Sequence, residues 1–207
     1  MDTAGTPMLL RRWFCLLLSA GLPLAACSPI GMAVGAGAGA GVAASEERGL
    51  GGAIGDTTIR AEINYKFLNA DIALFRRVST SVHEGRVLLM GIVPNAEALD
   101  AATRLTWQVA GVKEVINELH VAPDAEILDT VRDGWIAAEL RTRLLFDKEV
   151  LAINYSVEAV GRVIYVLGVA QDGRELDRVI RTARDIPYVE GVVSHVLLKD
   201  DPRRRAS

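Results

Sequence analysis

The chain has 207 residues, two cysteines and a formal net charge of −3, from 23 Lys and Arg against 26 Asp and Glu. Mild acidity argues against general nucleic-acid binding, so no nucleic acid is expected as a partner. Two cysteines exclude a disulfide-dense scaffold.

Residues 1–26 read as a lipoprotein signal peptide. Arg11 and Arg12 form a positive start, Trp13 to Leu22 is a short apolar run, and Leu24-Ala25-Ala26-Cys27 closes the segment. An ordinary secretory signal also ends in small residues but does not require a cysteine directly after them. The lipoprotein pathway does, so Cys27 is the expected lipidation site, its thiolate accepting a diacylglyceryl group before cleavage. The apolar run falls short of the roughly 20 residues a spanning helix needs. Ser28 stands where a lipoprotein retained in the inner membrane carries Asp, which by bacterial sorting rules implies the periplasmic face of the outer membrane. Cys15 would leave with the signal, so no thiol would remain to pair. Losing Asp2, Arg11 and Arg12 takes the net charge from −3 to −4.

Residues 27–55 are read as an acylated cysteine followed by a tether. Within them, residues 31–44 alternate Gly with small apolar residues and carry no charge. Such a stretch offers no large side chain to bury, and each interior Gly costs a helix roughly 1 kcal/mol relative to Ala. A Gly-rich coil of ~28 residues spans about 30 Å. A membrane-surface or Gly-mediated packing role is the alternative.

Two copies of one unit follow, over residues 56–122 and 133–199, with a nearly constant offset of 77. Ile59-Arg-Ala-Glu-Ile63 answers to Ile136-Ala-Ala-Glu-Leu140, and Val112-Lys-Glu-Val115 to Val189-Glu-Gly-Val192. Gly85-Arg86-Val87 is matched to Gly161-Arg162-Val163, which implies one extra residue in the second copy. Each unit is near the lower size limit for an autonomous core, so the two are expected to pack together.

In each copy, residues four apart (Ile59, Ile63, Phe67; Ile136, Leu140, Leu144) mark one face of an amphipathic helix. Asp56 and Asp133 stand ahead of those faces as N-caps. Strands are expected at Val78–Val82 and Val87–Val93, and again at Ile153–Val157 and Val163–Val169. Helices Ala96–Val109 and Arg174–Asp185 and final strands Val115–Val121 and Val192–Leu198 complete the order. The fold class is α+β, each unit αββαβ with a three-stranded sheet packed on two helices, both on one face.

Val87-Leu-Leu-Met-Gly91 and Val163-Ile-Tyr-Val-Leu-Gly168, each followed by a polar helix, and Gly111-Val112-Lys-Glu-Val115 carry a resemblance to the BON-domain family of bacterial envelope proteins. The order lipobox, Gly/Ala tether and two copies covers nearly the whole mature chain. The stretches Val87–Glu97 and Asp133–Leu145 sharpen it. The resemblance implies contact with anionic phospholipid through a tryptophan near the start of the second copy's first helix, where Trp135 stands. The tail, residues 200–207, departs from the pattern.

Residue chemistry gives an independent view of that helix. With Ile136, Leu140 and Leu144 inward, Trp135, Ala138, Thr142 and Leu145 form a second stripe with Phe146 beside it, flanked by Arg141 and Arg143. Trp suits a membrane interface because its ring is apolar while its N–H stays wet. The other reading is burial of Trp135 and Leu145 against the first copy, where Thr58 takes the matching place. Arg174, Arg178 and Arg181 read as a solvated face, and Trp107 as packed in the core or between copies. His83, His120 and His195 are placed in a turn and two final strands. No nucleophile has a partner at recognisable spacing, so no enzyme, cofactor or metal site is expected. The expected function is an outer-membrane lipoprotein that binds an anionic phospholipid membrane. The alternatives are an adaptor for envelope proteins, such as outer-membrane assembly or division-site cell-wall enzymes, and a small-ligand or peptidoglycan-binding domain.

Overall fold

The computed structural model describes residues 49–123 and 130–204. The expected signal peptide, Cys27 and the Gly/Ala stretch 31–44 lie outside the described residues.

Helix α1 (Gly49–Ala70) turns Ile59, Ile63 and Phe67 inward, all buried, and a short α2 (Ile72–Arg77) follows. Strands β1 (Val78–His83) and β2 (Arg86–Val93) form a hairpin, and α3 (Ala96–Trp107) returns the chain to β3 (Glu114–Val121). The second copy repeats this as α4 (Thr130–Phe146), β4 (Tyr155–Val160), β5 (Val163–Ala170), α5 (Gly173–Arg184) and β6 (Gly191–Leu198). In each sheet the middle strand lies antiparallel to the first and parallel to the last. The α+β class and αββαβ order are therefore as expected. The start of β4 is two residues later, because Ala152–Asn154 forms a 3₁₀ turn.

Asp56 and Asp133 are not helix caps. Helix α1 begins seven residues before Asp56, so that carboxylate lies inside the helix, buried and pointing at a turn. The N–H groups of Glu84 and Gly85 donate to Asp56 at 2.8 Å each, and those of Gly161 and Arg162 donate to Asp133 at 2.7 and 2.8 Å. All four turn residues have positive φ, between 56° and 77°. A two-residue hairpin loop with both centres in that region matches the twist of the strands, at a cost for any residue but glycine. Glu84-Gly85 thus superposes on Gly161-Arg162 at the offset of 77, and the extra residue expected from matching the glycines does not exist. The turn accepts glycine at either centre, and the carboxylate holds both amides in place.

Gly91 and Gly168 are equivalent in a second way. Each has φ near 150° (144° and 153°), and a Cβ would come within 2.0 Å of the Arg77 carbonyl oxygen or 2.1 Å of that of Asn154. Each glycine, two residues before the end of its central strand, is thus required by the close approach of the backbone that leads into the preceding strand.

One face of each sheet is covered by its own two helices, around Phe67 and Leu89 in the first copy and Leu140 and Val166 in the second. The other faces meet each other. Leu88 and Met90 pack on Tyr165 and Leu167, all at most 3% exposed. These are equivalent residues, Leu88 with Tyr165 and Met90 with Leu167. The helices are left outermost. Burial of each such side chain contributes about 1.5–3 kcal/mol.

Polar pairs border this contact. Arg86 Nε donates to Glu114 at 2.6 Å and its Nη1 donates to the His195 carbonyl at 2.9 Å. His195 Nε2 lies 2.9 Å from Glu118 Oε1, again at equivalent positions. The tail, unassigned from sequence, has a definite place: Arg204 donates to both carboxylate oxygens of Glu84, at 3.0 and 2.6 Å, and to the Lys199 carbonyl. His83, expected in the turn, ends β1 and is buried.

Two outcomes follow. Asp133→Ala leaves two turn amides without their charged acceptor and should destabilise the protein by on the order of 3 kcal/mol in urea denaturation. The Arg204 guanidinium holds the Glu84 carboxyl below its ordinary 4.5. That pair therefore contributes its full stability above pH 4.5 and loses it as pH falls through the depressed value. The stability gap between wild type and Arg204→Ala should be constant above that pH and shrink below it.

Candidate membrane-contact face

Helix α4 has two unlike sides. Ile136, Ala137, Leu140 and Leu144 are buried in the second copy's core. On the opposite side Val131, Trp135, Ala138, Thr142, Leu145 and Phe146 are all exposed, Trp135 by 45% and Phe146 by 78%. Burial of Trp135 and Leu145 against the first copy, the other reading of this stripe, is not what the fold does: the first copy's sheet is met by β5.

Tyr188 extends the stripe from the loop after α5. Its exposed ring, on a backbone with φ of 70°, stands edge-on to Trp135 with centroids 6.1 Å apart. The Arg132 guanidinium lies 5.4 Å from the Tyr188 centroid, a cation–π contact. Sequence reasoning missed all three of Val131, Arg132 and Tyr188. Val131 was legible, one helical turn before Trp135. Tyr188 was not, because a loop residue has no period.

The two flanking arginines are separated by the stripe. Arg143 donates to Glu139 at 2.8 Å, one turn back, and leans towards the Asp185 carbonyl at the end of α5. Arg141 turns the other way, to the Val157 carbonyl and to Glu158 at 3.3 Å on β4. Burial pushes the Glu158 carboxyl up, against the opposing pull of Arg141 and Arg60. Arg143 therefore borders the stripe, whereas Arg141 belongs to the seam between the copies.

Arg178 pairs with Asp147 at 2.6 Å and Glu149 at 2.9 Å, in keeping with a solvated charged face. The Arg178 guanidinium holds the Asp147 carboxyl below the usual range. Trp107 corrects the sequence reading: at the end of α3 it is 53% exposed, in neither the core nor the contact between copies. Among the described residues no group of His, Cys, Asp and Glu is arranged to hold a metal ion.

Residues 55–123 and 132–200 each match the BON domain. The chain belongs to the BON-domain family. Over 154 residues it is 33% identical to the outer membrane lipoprotein DolP of Haemophilus influenzae, spanning 74% of this chain and 79% of that protein. It is 24% identical to the 21 kDa hemolysin of Actinobacillus pleuropneumoniae, spanning 72% of this chain and 76% of the relative. The osmotically-inducible protein Y of Escherichia coli is also 24% identical, with the same coverage. The first copy is hereafter BON1 and the second BON2.

Proposed function

We propose that this chain is a periplasmic lipoprotein anchored to the outer membrane through Cys27, and that BON2 lays the outer side of α4 on anionic phospholipid to support outer-membrane integrity. The observation that carries this reading is the exposed row of Trp135, Leu145 and Phe146 on a helix whose inner side is already fully packed. Folding leaves that row exposed to solvent with Tyr188 beside it, and a large exposed apolar patch marks an interaction site. Trp135 and Tyr188 are the aromatics suited to the headgroup level, with Arg132 and Arg143 beside them for lipid phosphates.

None of the described helices is long and apolar enough to cross a membrane. Attachment would fall to the acyl anchor, and a lipidated protein becomes firmly bound when a second signal joins the first. The relation to an outer membrane lipoprotein supports both the anchor and the compartment. Supporting the lipid over a protein partner, the row is bordered by arginine although the chain as a whole is acidic.

The test is flotation of the mature chain, with Cys27→Ser, on vesicles of phosphatidylglycerol and of phosphatidylcholine. Retention by phosphatidylglycerol is expected, weakened about tenfold or more by Trp135→Glu, since a charge at the interface replaces a ring that favours it. No retention, or an unaffected Trp135→Glu variant, overturns the reading. Trp135-dependent capture of one envelope protein in place of vesicles would favour the adaptor. Deletion of the gene should raise sensitivity to vancomycin.

A further inference from the structure

We propose that the cleft between BON1 and BON2, lined by Arg76 and Arg77 of one copy and Arg141 of the other, is a composite phosphate site that receives the headgroup of an anionic lipid. The proposal rests on the membrane reading above for the source of the phosphate, and on the cleft itself for the chemistry.

The cleft has a volume of about 480 Å³, within the size range of sites for small ligands. Arg76 and Arg77, at the end of α2, are exposed and form no ion pair with any described residue. Arg76 and Arg77 lack counter-ions and so invite an anion, while Arg141 across the cleft is already paired with Glu158, and the planar guanidinium with its fixed fork of donors suits phosphate oxygens. Neither carboxylate in the cleft, Asp133 or Glu158, is paired with Arg76 or Arg77. Asp133 accepts from the turn amides of Gly161 and Arg162, and Glu158 is held by Arg141. A further cation, Arg60, acts on Glu158 from the BON1 side. The cleft is therefore cationic on balance in a chain that is acidic overall.

Its position points to a lipid. Gly134, Ala137 and Arg141 line the cleft, while Trp135 and Ala138, their immediate neighbours, lie on the exposed row. On the other lip, Ile72 and Phe75 of α2 are exposed beside Arg76 and Arg77. Apolar side chains thus flank the cations on both lips. A helix resting at headgroup depth would bring phosphates level with the cleft. BON1, which has no Trp135 equivalent, would then supply the charge while BON2 supplies the apolar contact.

The experiment compares wild type, Arg76→Gln/Arg77→Gln, Trp135→Glu and a control away from the stripe, Arg104→Gln/Arg174→Gln, all in the mature chain with Cys27→Ser. Each is assayed on phosphatidylglycerol and phosphatidylcholine vesicles. Amide resonances of Gly134 and Ala137 are also followed on adding glycerophosphoglycerol or inorganic phosphate. The Arg76/Arg77 pair should lose preference for phosphatidylglycerol by at least about tenfold, as expected for two arginines near an anionic surface. The control should lose little. Both soluble probes should shift the two amides in wild type and not in the Arg76/Arg77 pair. Equal loss in the control, or unchanged lipid preference together with no amide shifts, overturns the proposal. If Trp135→Glu abolishes retention while the Arg76/Arg77 pair keeps full preference, the cleft is refuted and the membrane reading stands. If no vesicle retains wild type yet the amides shift in an Arg76- and Arg77-dependent way, the membrane reading fails and the site belongs to a free phosphoester.

Discussion

The contact between the two helix-free sheet faces is the constraint on which the rest of this structure depends. A three-stranded sheet with both helices on one side leaves its second side bare. Here that side carries Leu88 and Met90 in BON1 and Tyr165 and Leu167 in BON2. Exposed, each face would be a large apolar patch; together they bury one another. The helices must then lie outside, which is why α4 keeps a free side. The Arg204–Glu84 pair and the Glu118–His195 contact border this packing and fix which edges align.

The arrangement divides α4 between two tasks. Its inner positions obey the packing rules of any amphipathic helix, whereas its outer positions carry side chains that packing never uses. A tryptophan, a leucine and a phenylalanine there cost solubility and give the core nothing. On the membrane reading they are kept for a surface outside the protein, and the seam cations beside them for the charges of that surface.

Much of the fold was legible in sequence because it is written twice. The fourfold spacing of Ile136, Leu140 and Leu144 and the strand runs ending in Gly91 and Gly168 each point to one element type, and the repeat checks each against the other. Apart from Trp107, the misreadings share a cause: the residue's partner lies far away in sequence. Asp56 and Asp133 look like caps because a carboxylate near a helix start usually is one. Their actual partners are turn amides 28 and 29 residues later. Arg141 looks like a flank of the Trp135 stripe because helical spacing cannot say which neighbour captures a long side chain; β4 does. Trp107 is exposed although a large ring at a helix end suggested packing. The tail was opaque for the same reason, since nothing near Arg204 in sequence announces Glu84.

The sheet contact has one more consequence. Leu88 meets the neighbourhood of Tyr165, and Glu118 that of His195, in each case residues that occupy the same place in their own copies. A patch that binds its own counterpart is what two separate identical subunits use to pair about a two-fold axis. This chain is in effect a homodimer joined end to end. Covalent linkage removes the concentration dependence of that pairing and frees its halves from having to be alike. An obligate symmetric dimer would place Trp135 on both outer faces or on neither; the fused one carries Trp135 on one face and Thr58 on the other, so it can be two-sided.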